Sequence, residues 1–236
     1  MNTFSYIVFN HIPKCGGSSL REMFYNACLS HELFSKCQLF ISSYTHENIC
    51  LQEHREAIYV LHKQTKVFFD HSHAYFFEDT FNLDISKTFR IINIRNPIHR
   101  FISHMYFFDR ISPEQCSYKV LKQKVKQYGL VYIDYLTLQK YNQQKLDLET
   151  RLNIAKEELE KYSFVFILEK FRDCVEQFNI TNPFELRLEE KHINESNGKN
   201  LKLSKRTLYN IKKLIEPDII LLKDFYPNID EDINQY

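Results

Sequence analysis

Three short segments carry residues whose types and spacing could act on a phosphate-bearing ligand. From Tyr6 to Leu20 an apolar run breaks into a turn holding Lys14, Cys15, Gly16 and Gly17, and the hydroxyls Ser18 and Ser19 open a helix. A helix start presents free N–H groups and a positive dipole end, and glycines let an anion approach closely. From Phe89 to His104 a second apolar run ends at Arg95, Pro97 begins a helix, and Arg100 and Ser103 sit on its early turns. A strand-end guanidinium and a hydroxyl two turns into the next helix can converge on one anion; Arg100 can assist or sit in a structural ion pair. Two such layouts on one chain point to a ligand with phosphates at both ends. The third segment, Asp70-His71-Ser72-His73, puts two imidazoles just past a compact apolar run. Sites in open α/β sheets gather at that edge of the strands, and imidazole titrates near working pH. One of His71 and His73 is expected to act. His73, further past the strand end, is favoured. His11, beside the first turn, reads as a packed or hydrogen-bonded residue.

The elements that must position these groups follow from the hydrophobic pattern. Strands are expected over 6–11, 66–71, 88–95 and 163–168, with helices over 18–29, 97–109 and 172–178. Residues 30–65 show no clear period and read as loops with a short helix around 53–62. From 118 to 161 the chain is helical with a break near Gly129, and 146–162 reads as an exposed helix. Lys119, Lys122, Lys124 and Lys126 make a basic face there, by default a solvated one. A polar loop over 179–200 leads to closing helices over 204–215 and 217–225. Strands alternating with helices predict an α/β fold, a three-layer P-loop-like parallel sheet flanked by helices, in a single domain spanning 1–236.

The first turn departs from a Walker loop, in which the lysine follows the glycines; here Lys14 precedes them. With the later Arg-x-Pro-x-x-Arg-x-x-Ser, this arrangement resembles the sulfotransferases that use 3′-phosphoadenosine 5′-phosphosulfate (PAPS). The likeness is greatest to the carbohydrate (heparan/dermatan-type) 2-O-sulfotransferase branch, whose loop runs Ile-Pro-Lys-small-x-Ser/Thr-Ser. Phe164 to Phe171 looks like that branch's later strand and Glu-x-Phe, and His192 to Asp218 like its nucleotide-covering loop and closing helices. The resemblance implies roles. Lys14 would bridge the sulfonate and the leaving 5′-phosphate. Cys15, Gly16, Gly17, Ser18 and Ser19 would hold that phosphate, and Arg95 and Ser103 the 3′-phosphate. Ser196 and Lys199, with Lys202 nearby, would cover the nucleotide. A histidine at the place of His71 or His73 would deprotonate the acceptor hydroxyl. The cofactor implied is PAPS, leaving PAP (adenosine 3′,5′-bisphosphate), with no metal. The acceptor implied is a carbohydrate, a glycolipid or a small hydroxylated molecule.

Composition bounds the alternatives. At 236 residues and 44% hydrophobic, the chain can build a large core, and two of its only four glycines stand side by side at Gly16 and Gly17. A net charge of +1 gives no basic field for nucleic acid. No apolar run reaches the ~20 residues of a membrane span and no secretory leader is visible, so a cytoplasmic protein is expected. The six cysteines show no metal spacing and read as free thiols. Two other functions fit parts of the pattern. A nucleotide or small-molecule kinase would need the Gly-Lys-Ser/Thr end and a magnesium carboxylate. A non-catalytic PAP-binding module would keep the fold without Lys14 and the histidines working.

Overall fold

The computed structural model describes residues 4, 6–30, 38–42, 65–70, 84–128, 130–137, 146–189 and 203–229. The chain divides into two compact units, residues 1–94 with 161–193, and residues 95–160 with 194–236.

The first unit holds the sheet. Its strands are β1 (Tyr6–Asn10), β2 (Gln38–Ser42), β3 (Thr65–Asp70), β4 (Thr88–Ile94) and β5 (Phe164–Ile167). They form one five-stranded sheet in the order β2-β3-β1-β4-β5. Every pairing is parallel, with Val8 opposite Phe68 on one side and Arg90 on the other. The expected α/β class with a parallel sheet and helices is therefore what the chain adopts. One element differs: β2 lies in the stretch read as loops. Its short Gln-Leu-Phe-Ile-Ser run carries no alternation long enough to announce a strand, and pairing with β3 supplies what the pattern lacks. The helix expected over 53–62 lies outside the described residues.

Helices α1 (Gly17–Ser30) and α2 (Phe171–Thr181) cover one face of this sheet. Leu20, Met23, Phe24 and Ala27 repeat at helical spacing and meet Ile7, Phe9, Phe89, Ile91 and Phe166 in one buried cluster with Val175 and Phe178. Phe178 is its hub, edge-on to Phe24 with centroids 5.3 Å apart and to Phe164 at 5.3 Å. Such aromatic pairs add about 0.5–1.5 kcal/mol beyond area burial. This core fixes the level at which β1 hands over to α1.

The second unit is helical in its described residues: α3 (Pro97–His104), α4 (Tyr118–Tyr128), α5 (Val131–Thr137), α6 (Leu148–Leu159), α7 (Lys205–Leu214) and α8 (Glu216–Leu222). The helix expected over 97–109 is α-helical only to His104; Met105–Asp109 continues as a π turn that closes on Arg110 at φ 58°. α5 packs on α6 and α8, and α4 on α7. The helix at 148–159 is not wholly solvent-facing, because Ala155, Glu158 and Leu159 are buried.

Candidate functional site

The loop that joins β1 to α1 is shaped by its own backbone and by one residue from the neighbouring strand. Lys14 adopts φ 68° and Gly16 φ 81°, so two left-handed residues bracket Cys15. A lysine in this region is strained, and such strain persists where surrounding contacts over-determine the turn. Those contacts come from Asn93 on β4. Its Oδ1 accepts the Ile12 N–H at 3.0 Å and its amide donates to the Cys15 carbonyl at 2.6 Å. Cys15 is buried and its own N–H is spent inside the turn on the Ile12 carbonyl at 3.3 Å. The N–H groups of Gly16, Gly17 and Ser18 find no acceptor among the described residues. They are the unpaired donors of a helix start, and α1 has no acidic residue in its first turn. Lys14 is half-buried, Ser18 exposed and Ser19 half-buried beside them.

Both glycines are sterically required. A Cβ on Gly16 would lie 2.6 Å from Leu168 Cδ1, and one on Gly17 would lie 1.9 Å from His11 Cδ2. His11 is buried, stacked near Phe9 at 6.4 Å, and fills the space under Gly17. It is a packing residue of the loop, as expected. The loop sits at the carboxyl end of β1, where the sheet order changes direction between β3 and β4, the place open α/β sheets reserve for ligands.

The second unit holds the segment around Arg95 and Ser103, and here side chains and caps prevail. Asn96 caps α3 by accepting the Ile98 N–H at 3.0 Å, Pro97 takes the first helical position, and the first turn has no acidic residue. The Asn96 amide also donates to the Ile229 carbonyl at 3.2 Å. Arg95 and Ser103 are half-buried. Arg100 is buried, 3.4 Å from His104 Nδ1, and its charge acts on Asp218. Burial pushes the Asp218 carboxyl up to about 7, against the backbone N–H groups of Ile133 and Tyr132 and the charge of Arg100 that favour its ionised form. His71, His73, Ser196, Lys199 and Lys202 lie outside the described residues.

Asn93 and Tyr132, whose hydroxyl holds the Arg95 backbone, were not singled out in the sequence. A signal existed for the first: Asn93 interrupts the apolar run Ile91-Ile92-Asn93-Ile94, and an amide buried in a central strand needs a specific partner. Nothing local marks Tyr132.

Compared with known protein families, residues 1–227 match the model described as the sulfotransferase family. The chain belongs to the sulfotransferase family. Sulfonate transfer is thus its chemistry at the level of the family. Among curated proteins none matches the sequence. The chain is similar to a sulfotransferase from Alicyclobacillus acidocaldarius seen in a crystal structure, at 13% identity and a TM-score of 0.49, over 95% of this chain and 96% of that one. No helix among the described residues is long and apolar enough to cross a membrane.

Proposed function

We propose that this sulfotransferase moves a sulfonate from PAPS to a hydroxyl of a carbohydrate or glycan-type acceptor. The observation that carries this is the β1–α1 loop, where three N–H donors without an acceptor among the described residues stand beside a lysine in a turn that only glycine fits. Such a cradle suits a terminal phosphate: donors are aimed, the dipole end is positive, and no carboxylate in the first turn opposes it. PAPS, when bound, supplies the activated sulfonate.

The residues divide the work. Gly16, Gly17 and Ser18 give N–H groups to the 5′-phosphate, and the Ser18 and Ser19 hydroxyls add donors. The Lys14 ammonium stabilises the negative charge that grows on that phosphate as its bond to sulfur breaks. Arg95 and Ser103 take the 3′-phosphate, with Ser196 and Lys199 covering the nucleotide. His73, or His71 in its place, accepts the proton of the attacking hydroxyl. This scheme needs no metal.

Calorimetric titration with PAP, AMP and ADP tests the nucleotide, and transfer from labelled PAPS into a glycan panel tests the acceptor. Tighter binding of PAP than of AMP and label in a glycan are expected; equal binding of all three nucleotides sinks the proposal. His73→Ala should lower the rate by about 10²–10⁴-fold and flatten the acidic limb of the pH profile. If His71→Ala does so instead, the two histidines exchange roles.

A further inference from the structure

Arg95 stands where the sheet can no longer hold the chain. The β4–β5 ladder ends with Ile94 opposite Ile167, so the N–H and C=O of the next residue need partners from elsewhere. Both find the same one. The Tyr132 hydroxyl accepts the Arg95 N–H at 3.0 Å and donates to the Arg95 carbonyl at 2.6 Å. One phenol thereby fixes the peptide planes on both sides of the Arg95 Cα, and with them the direction in which its side chain leaves.

We propose that Tyr132 is a positioning residue for the 3′-phosphate contact, aiming the Arg95 guanidinium through its backbone. This rests on the assignment of Arg95 to that phosphate. Tyr132 itself is well placed to hold. Its ring is fully buried, and it lies on the first turn of α5, whose start is capped from α8. The Asp218 carboxylate accepts the Ile133 N–H at 3.2 Å and the Tyr132 N–H at 3.4 Å. Thus Asp218 sets the start of α5, α5 sets Tyr132, and Tyr132 sets Arg95. On the other flank, the Asn96 side chain fixes the turn into α3, which bears Ser103.

A hydroxyl that serves packing alone and one that aims Arg95 differ in a measurable way. Tyr132→Phe keeps the buried ring and deletes both hydrogen bonds. PAP and AMP differ only in the 3′-phosphate, so the ratio of their dissociation constants isolates that contact from the rest of the nucleotide. We expect wild type to favour PAP, and Tyr132→Phe to reduce that preference about tenfold, the scale of a weakened charge-assisted contact, with AMP affinity unchanged. In an Arg95→Ala background the same substitution should leave the ratio where Arg95→Ala already put it, because the group being aimed is gone. Asp218→Asn, acting one step further away, should reduce the preference about threefold. It carries the test should Tyr132→Phe fail to fold by circular dichroism. An unchanged PAP-to-AMP ratio in Tyr132→Phe, or in Asp218→Asn where the former is unfolded, overturns the proposal. Wild type that binds the two nucleotides equally refutes the Arg95 assignment itself, and the positioning role falls with it.

Discussion

The two segments proposed to meet phosphates differ in what does the holding. At the β1–α1 loop the backbone itself is exposed for contact: Lys14 and Gly16 have left-handed φ, and the N–H groups of Gly16, Gly17 and Ser18 find no acceptor among the described residues. At the start of α3 the backbone is consumed, with Asn96 capping Ile98 and Tyr132 closing Arg95. What remains there is a guanidinium and a hydroxyl. A backbone cradle needs glycine and tolerates little else, whereas a side-chain site needs neighbours that fix its direction. Under the proposed function the first would recognise a phosphate by shape and the second would add selectivity, because side chains can be aimed at one oxygen set and away from another.

Substitutions at the two segments should therefore fail differently. The largest effect is expected for Lys14→Ala, which lowers the transfer rate by about 10²-fold or more while PAP still binds by calorimetry. Alanine bears the same left-handed cost as lysine, so the turn itself is not the variable. Normal turnover would make Lys14 a structural residue. Next comes Arg95→Ala, expected to cost about 2–4 kcal/mol in PAP binding with AMP binding intact. A parallel loss for AMP would mean that both segments grip the same phosphate and the contrast is false.

Gly17→Ala should do the opposite. Its Cβ meets the His11 ring, so the loop or the histidine must shift at a cost of about 1–3 kcal/mol in stability, and PAP and AMP should weaken together. Asn93→Ala strips the Ile12 N–H and the Cys15 carbonyl of their shared partner, and about 1–3 kcal/mol of stability should go with it. Urea denaturation beside nucleotide titration separates the two losses, and again both nucleotides should suffer alike.

The last expectation concerns pH. The Asp218 carboxyl, raised by burial to about 7 from an ordinary 3.8, binds its proton more tightly in the folded chain than in the unfolded one. Its contribution to stability is full below the unfolded value and is lost as pH rises through the folded value. Arg100 and Asp134 are the charged neighbours acting on it. From about pH 5 to about pH 8, wild type should thus lose more unfolding free energy than Asp218→Asn. Parallel urea curves for the two proteins at both pH values would show that Asp218 does not titrate in this window.

The sequence by itself determined the local switches from strand to helix. Paired glycines at Gly16 and Gly17 and the Asn96-Pro97 start are decided within a few residues, by allowed φ, by space for a Cβ and by free N–H groups. Those forces act wherever the segment lies, which is why the loop and the parallel α/β class could be read from residue order. β2 could not, since its five residues, Gln38–Ser42, become a strand through pairing with β3. The clamps that make the segments precise were likewise decided only by tertiary structure. Asn93 reaches Ile12 across 81 positions, Tyr132 reaches Arg95 across 37, and Asp218 reaches Tyr132 across 86. A hydrogen bond of that kind depends on which chain segments the core brings together. It is set by packing far from either partner, and no local pattern encodes it.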